Sequence, residues 1–161
     1  MTNRFFFVLT FLSSLGCGVI GGVFFAFSTF VMPALARIAP QQGIAAMQSI
    51  NVAVINPAFM LAFLGTATTS AALALRSLFH WREPSAVYGL AAAVLYLVGT
   101  IGVTAFCNIP RNNALAAVAP EGAVSLWQGY VPAWTAWNHV RTASSLAAAA
   151  LFVLALLRGR P

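Results

Sequence analysis

The 161-residue sequence contains no lysine and no aspartate, and its only acidic residues are Glu83 and Glu121. Charged residues make up 6% of the chain, whereas soluble domains carry about 25%. This scarcity of charge excludes an ordinary soluble domain. The net charge of +6 comes from eight arginines that are spread along the sequence. Such spacing argues against a nucleic-acid-binding protein, which concentrates its basic residues on one face.

Cysteine is equally scarce. Cys17 and Cys107 are the only two, which is too few for a disulfide framework, and neither belongs to a zinc-binding spacing. We therefore predict that both are small buried residues that behave as apolar groups.

What the sequence has in abundance is apolar side chains. They make up 61% of the residues and occur in long uncharged runs, which is typical of an integral membrane protein. We predict an all-α membrane protein, a four-transmembrane-helix bundle with a short helix in each outer loop, forming a single domain over residues 1–161. The predicted spans are 5–31, 56–75, 85–106 and 133–157, and the short helices are expected within 45–49 and 121–130.

The first apolar run begins like a signal peptide, but it stays hydrophobic beyond any cleavage point, and so we predict a retained helix. Residues 16–21 match G-x-G-x-x-G, yet no strand precedes them and the required acidic residue is missing, which excludes a dinucleotide site. Ser14, Gly18, Gly22 and Ala26 instead recur every four residues. This stripe of small residues predicts close helix packing and suggests a homo-oligomer through the Gly18/Gly22 face.

The distribution of arginines predicts the orientation. With both termini in the cytoplasm, five arginines lie inside and three outside, as the positive-inside rule requires. We therefore expect a multi-pass protein of the cell membrane with cytoplasmic N- and C-termini.

In this topology, most of the strongly polar side chains gather at the outer ends of the spans. Because polar groups in a membrane face inward or toward a cavity, we predict a polar pocket at the outer end of the bundle, roofed by the outer loops. The residues expected around it are Ser28, Gln48, Asn51, Asn108, Asn112, Asn138, His139 and Arg141.

Helical spacing places Trp134, Asn138 and Arg141 on one face of span 4, with His139 about 100° around the helix. The N-termini of spans 2 and 4 point at the predicted pocket, and together with Arg141 they favour an anionic ligand group. Simpler alternatives remain open. In the first alternative, Arg141 pairs with Glu121, and in the second, His139 donates a hydrogen bond to a loop carbonyl. In the others, the asparagines only cap helices and shape turns, and the tryptophans form an interfacial belt.

Four segments of the chain resemble the anthrone-oxygenase-like family: Phe27–Leu35, Met47–Asn51, Asn108–Asn112 and Trp134–Thr142. The resemblance extends over nearly the whole chain and implies a small membrane protein with four spans. Many members of the family are uncharacterised, and the best-known oxidise polyketide anthrones to anthraquinones with molecular oxygen. No bound cofactor is generally ascribed to them, and we accordingly expect none.

The resemblance and the predicted pocket together suggest roles for individual residues. His139 is the candidate base for removing a proton from an anthrone, and three further residues are expected to stabilise the resulting oxyanion. Flat aromatic side chains are expected to stack on the substrate. The predicted catalytic residues are His139, Arg141, Asn138 and Asn108, and the predicted substrate-binding residues are Trp134, Trp137, Asn112, Asn51, Gln48 and Ser28.

Other functions remain as alternatives. Copper or iron at His139 is a weaker variant, because a site with a single histidine is unusual. Proton-coupled transport is disfavoured, since the predicted spans contain no carboxylate that would relay protons. A non-enzymatic binding or scaffold subunit, or a protein that handles small molecules or lipids, is the alternative to an enzyme. The expected partners are the lipid bilayer, a small aromatic ligand and O2, with no nucleic acid.

Overall fold

The computed structural model describes residues 2–119 and 122–159, and within these ranges the chain is helical with no strand. Four helical stretches are long and apolar enough to cross a membrane, and we call them spans 1 to 4. They are Arg4–Arg37, Pro57–Phe79, Ala86–Ala117 and Ala123–Arg158. This confirms the predicted all-α fold with four spans and indicates a multi-pass membrane protein.

Seven α-helices and three π-helical segments make up the described chain. Span 1 contains α1 (Thr2–Ala26), a π-segment (Phe27–Val31) and α2 (Met32–Arg37). The helix α3 (Pro40–Ala53) follows, and α4 (Pro57–Phe79) is span 2. Span 3 contains α5 (Ala86–Val94), two π-segments (Leu95–Gly102 and Thr104–Asn108) and α6 (Ile109–Ala116). Span 4 is the single helix α7 (Ala123–Arg158).

The spans close into a four-membered ring. The helix α1 packs against α7 and α4, and α5 packs against α4 and α7. The start of α1, the end of α7 and the connection between spans 2 and 3 lie at one end of the bundle, which we call the termini end. The helix α3 and the connection between spans 3 and 4 lie at the opposite end, which we call the α3 end.

All four spans extend further than the sequence predicted, and spans 1 and 3 do so past a proline. The helix of span 1 continues through Pro33, and that of span 3 continues through Pro110, although an interior proline normally breaks a helix. In both spans a five-residue π-segment ends just before the proline. The Met32 N–H donates to the Phe27 carbonyl and the Ile109 N–H to the Thr104 carbonyl. Such local π geometry lets a membrane helix pass a proline without a break.

The connections also differ in detail from the prediction. The short helix of the first loop is present but longer, as α3. The helical segment expected near 121–130 is not separate, because it is the beginning of α7, with Pro132 in the interior of that helix. The start of span 2 is as predicted. The Asn56 side chain accepts a hydrogen bond from the Phe59 N–H, and Pro57 occupies the first turn.

In the small-residue stripe of span 1, Ser14 donates to the Ala149 carbonyl of span 4 at 3.1 Å, but the two glycines do not pack against another helix. A Cβ added at Gly18 or Gly22 would meet no other atom, whereas one at Gly16 would collide with the Thr66 hydroxyl. The close approach of span 1 to span 2 therefore occurs about half a turn away from the predicted face. Cys17 is buried, Cys107 is half-buried, and both are free thiols.

Candidate functional site

Asn138 joins span 4 to span 1 at the α3 end. Its side chain is fully buried, and its amide nitrogen lies 2.6 Å from both the Phe24 carbonyl oxygen and the Ser28 hydroxyl. Ser28 belongs to the π-segment of span 1. The two acceptors lie one turn apart on span 1, and therefore a single amide fixes the π-segment against α7.

Arg141 lies one turn further along α7 and is only 5% exposed. Its Nη2 donates to Asn138 Oδ1 at 2.6 Å, and its Nη1 donates to the Thr104 hydroxyl at 3.2 Å. The guanidinium carbon lies 4.1 Å from the centroid of the Phe24 ring and 5.1 Å from that of Trp134. Two hydrogen bonds and two aromatic faces thus hold the cation in a fixed position.

The described residues supply no counter-ion for this guanidinium. The ion pair found among them, Arg76–Glu83, lies at the termini end. The Arg141 Nε is buried and has no hydrogen-bond partner within residues 2–119 and 122–159. The predicted pairing of Arg141 with Glu121 involves a residue outside the described ranges. A buried cation that contacts only neutral groups has capacity for an anionic ligand.

Two asparagines of span 3 hold the aromatic residues of α7. Asn112 Oδ1 accepts hydrogen bonds from the Tyr130 hydroxyl and from Trp134 Nε1, both at 2.9 Å. The buried amide of Asn108 donates to the Trp134 carbonyl at 3.2 Å. Tyr130 stacks on Trp127 and on Trp134, with ring centroids 5.5 Å and 6.4 Å apart. The Trp134 ring is therefore fixed by contacts on several sides.

These residues border a cavity at the α3 end, which we call the α3-end cavity. Its volume is about 250 Å³. The lining is mostly aromatic and aliphatic, and polar side chains reach it at only four positions. The apolar lining residues are Val23, Phe24, Phe27, Met47, Ile50, Val54, Ile55, Phe59, Met60, Phe63, Ile109 and Trp134, and the polar ones are Asn51, Thr104, Asn112 and Arg141.

The structure brings eight of the ten predicted site residues together and leaves two outside. Arg141, Trp134, Asn112 and Asn51 line the cavity. Four others lie behind the lining and hold it in place. These are Asn138, Asn108 and Ser28, with the contacts above, and Gln48, whose amide donates to the Leu115 carbonyl at 2.8 Å.

His139 and Trp137 do not reach the α3-end cavity. The His139 side chain is exposed, and Trp137 is 38% exposed. They lie on opposite flanks of α7, because each is one residue from Asn138 and hence about 100° around the helix from it. The structure therefore contradicts the expectation that His139 borders the pocket and that Trp137 stacks on a ligand there.

Of the two helix N-termini that were expected at the pocket, only one approaches the cavity. The helix α4 begins at Pro57, next to the lining residues Phe59 and Met60, and its N-terminus does approach the cavity. The helix α7 begins at Ala123, more than three turns before Asn138, so that its N-terminal charge lies too far away to act on a ligand.

The sequence analysis missed several residues of the site. The Thr104 hydroxyl accepts a hydrogen bond from Arg141 at the cavity wall, but a threonine in an apolar span carries no distinctive signal. The Phe24 ring lies under the guanidinium, and only its position one turn before Ser28 pointed to the same face. No group of three or more His, Cys, Asp or Glu side chains that could hold a metal ion comes together in the described part of the chain.

The sequence matches a known protein family. The sequence profile described as Anthrone oxygenase matches residues 58–151, which is more than half of the 161 residues. The match includes Thr104, Asn112, Trp134 and Arg141, whereas the cavity residues of span 1 and α3 lie before it. Neither the curated proteins nor the solved structures gave a match. On the strength of the family match, this four-span protein belongs to the anthrone oxygenase family.

Proposed function

We propose that this protein is a membrane oxygenase that oxidises a flat phenolic or anthrone-type substrate with O2 in the α3-end cavity. The observation that carries the proposal is the position of Arg141. Its guanidinium borders a cavity that is otherwise largely apolar, and no carboxylate among the described residues pairs with it. An anionic oxygen on an aromatic ligand would supply the missing partner.

The chemistry of an anthrone fits such a cation. Loss of a proton from the carbon opposite the carbonyl gives an enolate whose negative charge lies largely on the oxygen. A fixed guanidinium next to that oxygen lowers the free energy of the anion. The enolate then adds O2 at the carbon, and the resulting hydroperoxide loses water to give the quinone. One oxygen atom enters the product and the other leaves in water.

The chain's part in this proposal is to bind the substrate and to stabilise its anion. None of the described residues that line the cavity is His, Asp or Glu. His139 does not line the cavity, and we therefore assign the proton to water rather than to His139. Copper or iron at His139 is dropped for the same reason.

The aromatic lining supports a planar ligand. Phe24, Phe27 and Trp134 line the cavity beside Arg141, and the rings of Phe27 and Trp134 are 5.9 Å apart. Aromatic faces bind flat substrates by offset or edge contacts. The cavity volume of about 250 Å³ lies near the lower limit of the roughly 300–1,000 Å³ of ligand pockets. We therefore expect one small planar molecule.

The test is O2 uptake by the purified protein with 1,8-dihydroxyanthrone, comparing Arg141→Gln with His139→Gln. Removing a group that stabilises an oxyanion lowers the rate by about 10²–10³, and we expect that loss in kcat/KM for Arg141→Gln. His139→Gln should stay within about twofold of the wild type. Arg141→Lys retains the charge but not the two-pronged geometry, and its activity should fall in between.

Each outcome is decisive. Equal losses in the two glutamine variants would contradict the assigned role of Arg141. Wild-type uptake no faster than autoxidation would overturn the oxygenase proposal. If the hydroxyanthrone still quenched tryptophan fluorescence in that case, the chain would be a binding protein rather than an enzyme. Elemental analysis of the same active sample tests whether copper or iron takes part.

A further inference from the structure

A second cavity lies at the termini end, far from the one described above. It has a volume of about 320 Å³ and is bordered by α1, α4, α5 and α7. We call it the termini-end cavity. Its character differs from that of the α3-end cavity, because charged and hydroxyl side chains form much of its wall. The polar lining residues used below are Arg76, Ser77, Glu83, Ser85 and Arg158.

Arg76 is fixed in the wall of the termini-end cavity. Its Nη2 donates to Glu83 Oε2 at 2.6 Å, and its guanidinium carbon lies 4.7 Å from the centroid of the Phe6 ring. The side chain is 17% exposed, and the buried Nε has no hydrogen-bond partner within the described ranges. The guanidinium is thus held in one orientation and still has donors available.

The charges around the termini-end cavity do not cancel. Arg76 and Arg158 contribute two positive charges and Glu83 contributes one negative charge, which leaves one positive charge. Arg158 is exposed at the end of α7 and makes no ion pair with any residue in the described part of the chain. The hydroxyl groups of Ser77 and Ser85 lie in the same wall. This set of donors matches an anion of single charge, such as a phosphodiester.

An apolar groove between α1 and α4 adjoins this cavity. It shares Phe6 and Arg76 with the termini-end cavity. Its other lining residues are mostly apolar, and they are Phe5, Leu9, Ala72, Leu75 and Phe79, with Thr68, Thr69 and His80 as the polar ones. The polar cavity and the apolar groove therefore adjoin at Arg76. A ligand that fills both must have an anionic head and a hydrocarbon tail.

From this arrangement we infer that the protein binds one anionic phospholipid at the termini end. The phosphate lies between Arg76 and Arg158, with the two serine hydroxyls as further donors, and one acyl chain lies in the groove between α1 and α4. Glu83 is not a ligand of the phosphate. Its carboxylate accepts from Arg76 Nη2 and thereby turns the rest of the guanidinium toward the cavity. The site is separate from the α3-end cavity and does not depend on the proposed activity.

Native mass spectrometry of the detergent-purified protein tests this inference. The probes are phosphatidylglycerol and phosphatidylcholine with identical acyl chains, and inorganic phosphate as a competitor. We expect one phosphatidylglycerol to bind more tightly than phosphatidylcholine. Because one arginine near the membrane surface changes the affinity for an anionic lipid about fivefold, Arg158→Gln should lower the affinity for phosphatidylglycerol by about that factor.

The matched control is Arg82→Gln. Arg82 is exposed at the same end of the bundle but lines neither the cavity nor the groove. The variant should bind phosphatidylglycerol as the wild type does. The double variant Arg76→Gln/Glu83→Gln leaves the net charge unchanged and leaves no buried charge unpaired, and it should also lose the preference for phosphatidylglycerol.

Three results would overturn the inference. The first is equal affinity of the wild type for the two lipids. The second is an equal loss of affinity in Arg82→Gln and Arg158→Gln, which would show that only the general surface charge attracts the lipid. The third is displacement of phosphatidylglycerol by millimolar inorganic phosphate, which would make free phosphate the ligand and leave the groove without a role.

Discussion

At the scale of single residues, Asn138 connects more of the site than any other side chain described above. It donates to the Phe24 carbonyl and to Ser28, and it accepts from Arg141. Asn138→Ala would leave these buried groups without a partner, and we expect the free energy of unfolding to fall by about 1–3 kcal/mol. Unfolding of the detergent-solubilised protein by sodium dodecyl sulphate measures this change.

Asn113→Ala is the control for that measurement, because Asn113 is an exposed amide at the same end of the bundle. Its effect should stay within about 0.5 kcal/mol, as is usual for exposed positions. Equal destabilisation by the two variants would mean that the amide network at Asn138 contributes nothing specific.

The same residues show which parts of the site the sequence could predict. Helical spacing correctly placed Trp134, Asn138 and Arg141 on one face, since positions three, four and seven apart share a side of a helix. His139 is exposed and lies outside the cavity, because it is about 100° around the helix from Asn138; its predicted role as a base stays a prediction. The role of Thr104 could not be predicted, because its contact with Arg141 depends on how spans 3 and 4 approach each other.

At the scale of helices, close packing relies on glycines other than those of the predicted stripe. A Cβ at Gly99 would collide with the Ser144 side chain, whereas one at Gly18 would meet open space. Gly99→Ala should therefore force spans 3 and 4 apart and destabilise the fold by about 1–3 kcal/mol. Gly18→Ala should be neutral or stabilise the helix by up to about 1 kcal/mol.

Unfolding midpoints of these two glycine variants under the same detergent conditions provide the comparison. Because both changes add one methyl group to a membrane helix, propensity alone predicts the same sign for both. Opposite signs would confirm that Gly99 marks the close contact. A loss of stability in Gly18→Ala would instead indicate that the Gly18 face is covered, as in the homo-oligomer suggested by the sequence.

The ends of the helices were harder to predict than their existence. Long uncharged runs predict a membrane span wherever they occur, and this signal gave the number of spans correctly. The predicted bounds at residues 31, 106 and 133 each fall within four residues of a proline, namely Pro33, Pro110 and Pro132. The π-segments that carry the helix past Pro33 and Pro110 have no sequence pattern of their own, and they also place Ser28 and Asn108 in the site.

At the scale of the whole molecule, the two ends of the bundle have distinct chemistry. The α3 end has a cavity with one buried cation in an apolar wall, and the termini end has a cavity with an ion pair and a second arginine. The sequence predicted the first, because polar side chains in spans must converge on an interior site. It did not predict the second, because Arg76 and Arg158 were counted only as signals of orientation and Glu83 was given no role.

The structure places fewer arginines at the α3 end than the sequence count assumed. Of the three arginines expected outside, Arg141 is buried inside the bundle, and only Arg37 and Arg111 remain near the α3 end. Four arginines lie at the other end, namely Arg4, Arg76, Arg82 and Arg158, and Arg160 lies outside the described residues. Since arginines flanking the spans are retained on the cytoplasmic side, we expect the termini end inside the cell and the α3 end outside.

Labelling of single cysteines in intact cells checks this orientation. In a background with Cys17→Ala and Cys107→Ala, cysteines are introduced at Gln42, which is exposed on α3, or at Trp81, which is 58% exposed between spans 2 and 3. A membrane-impermeant maleimide should label Gln42→Cys, and it should label Trp81→Cys only after the cells are opened. The reverse pattern would place the α3 end in the cytoplasm. A ligand would then reach Arg141 from the inside, because the cavity lies at that end of the bundle.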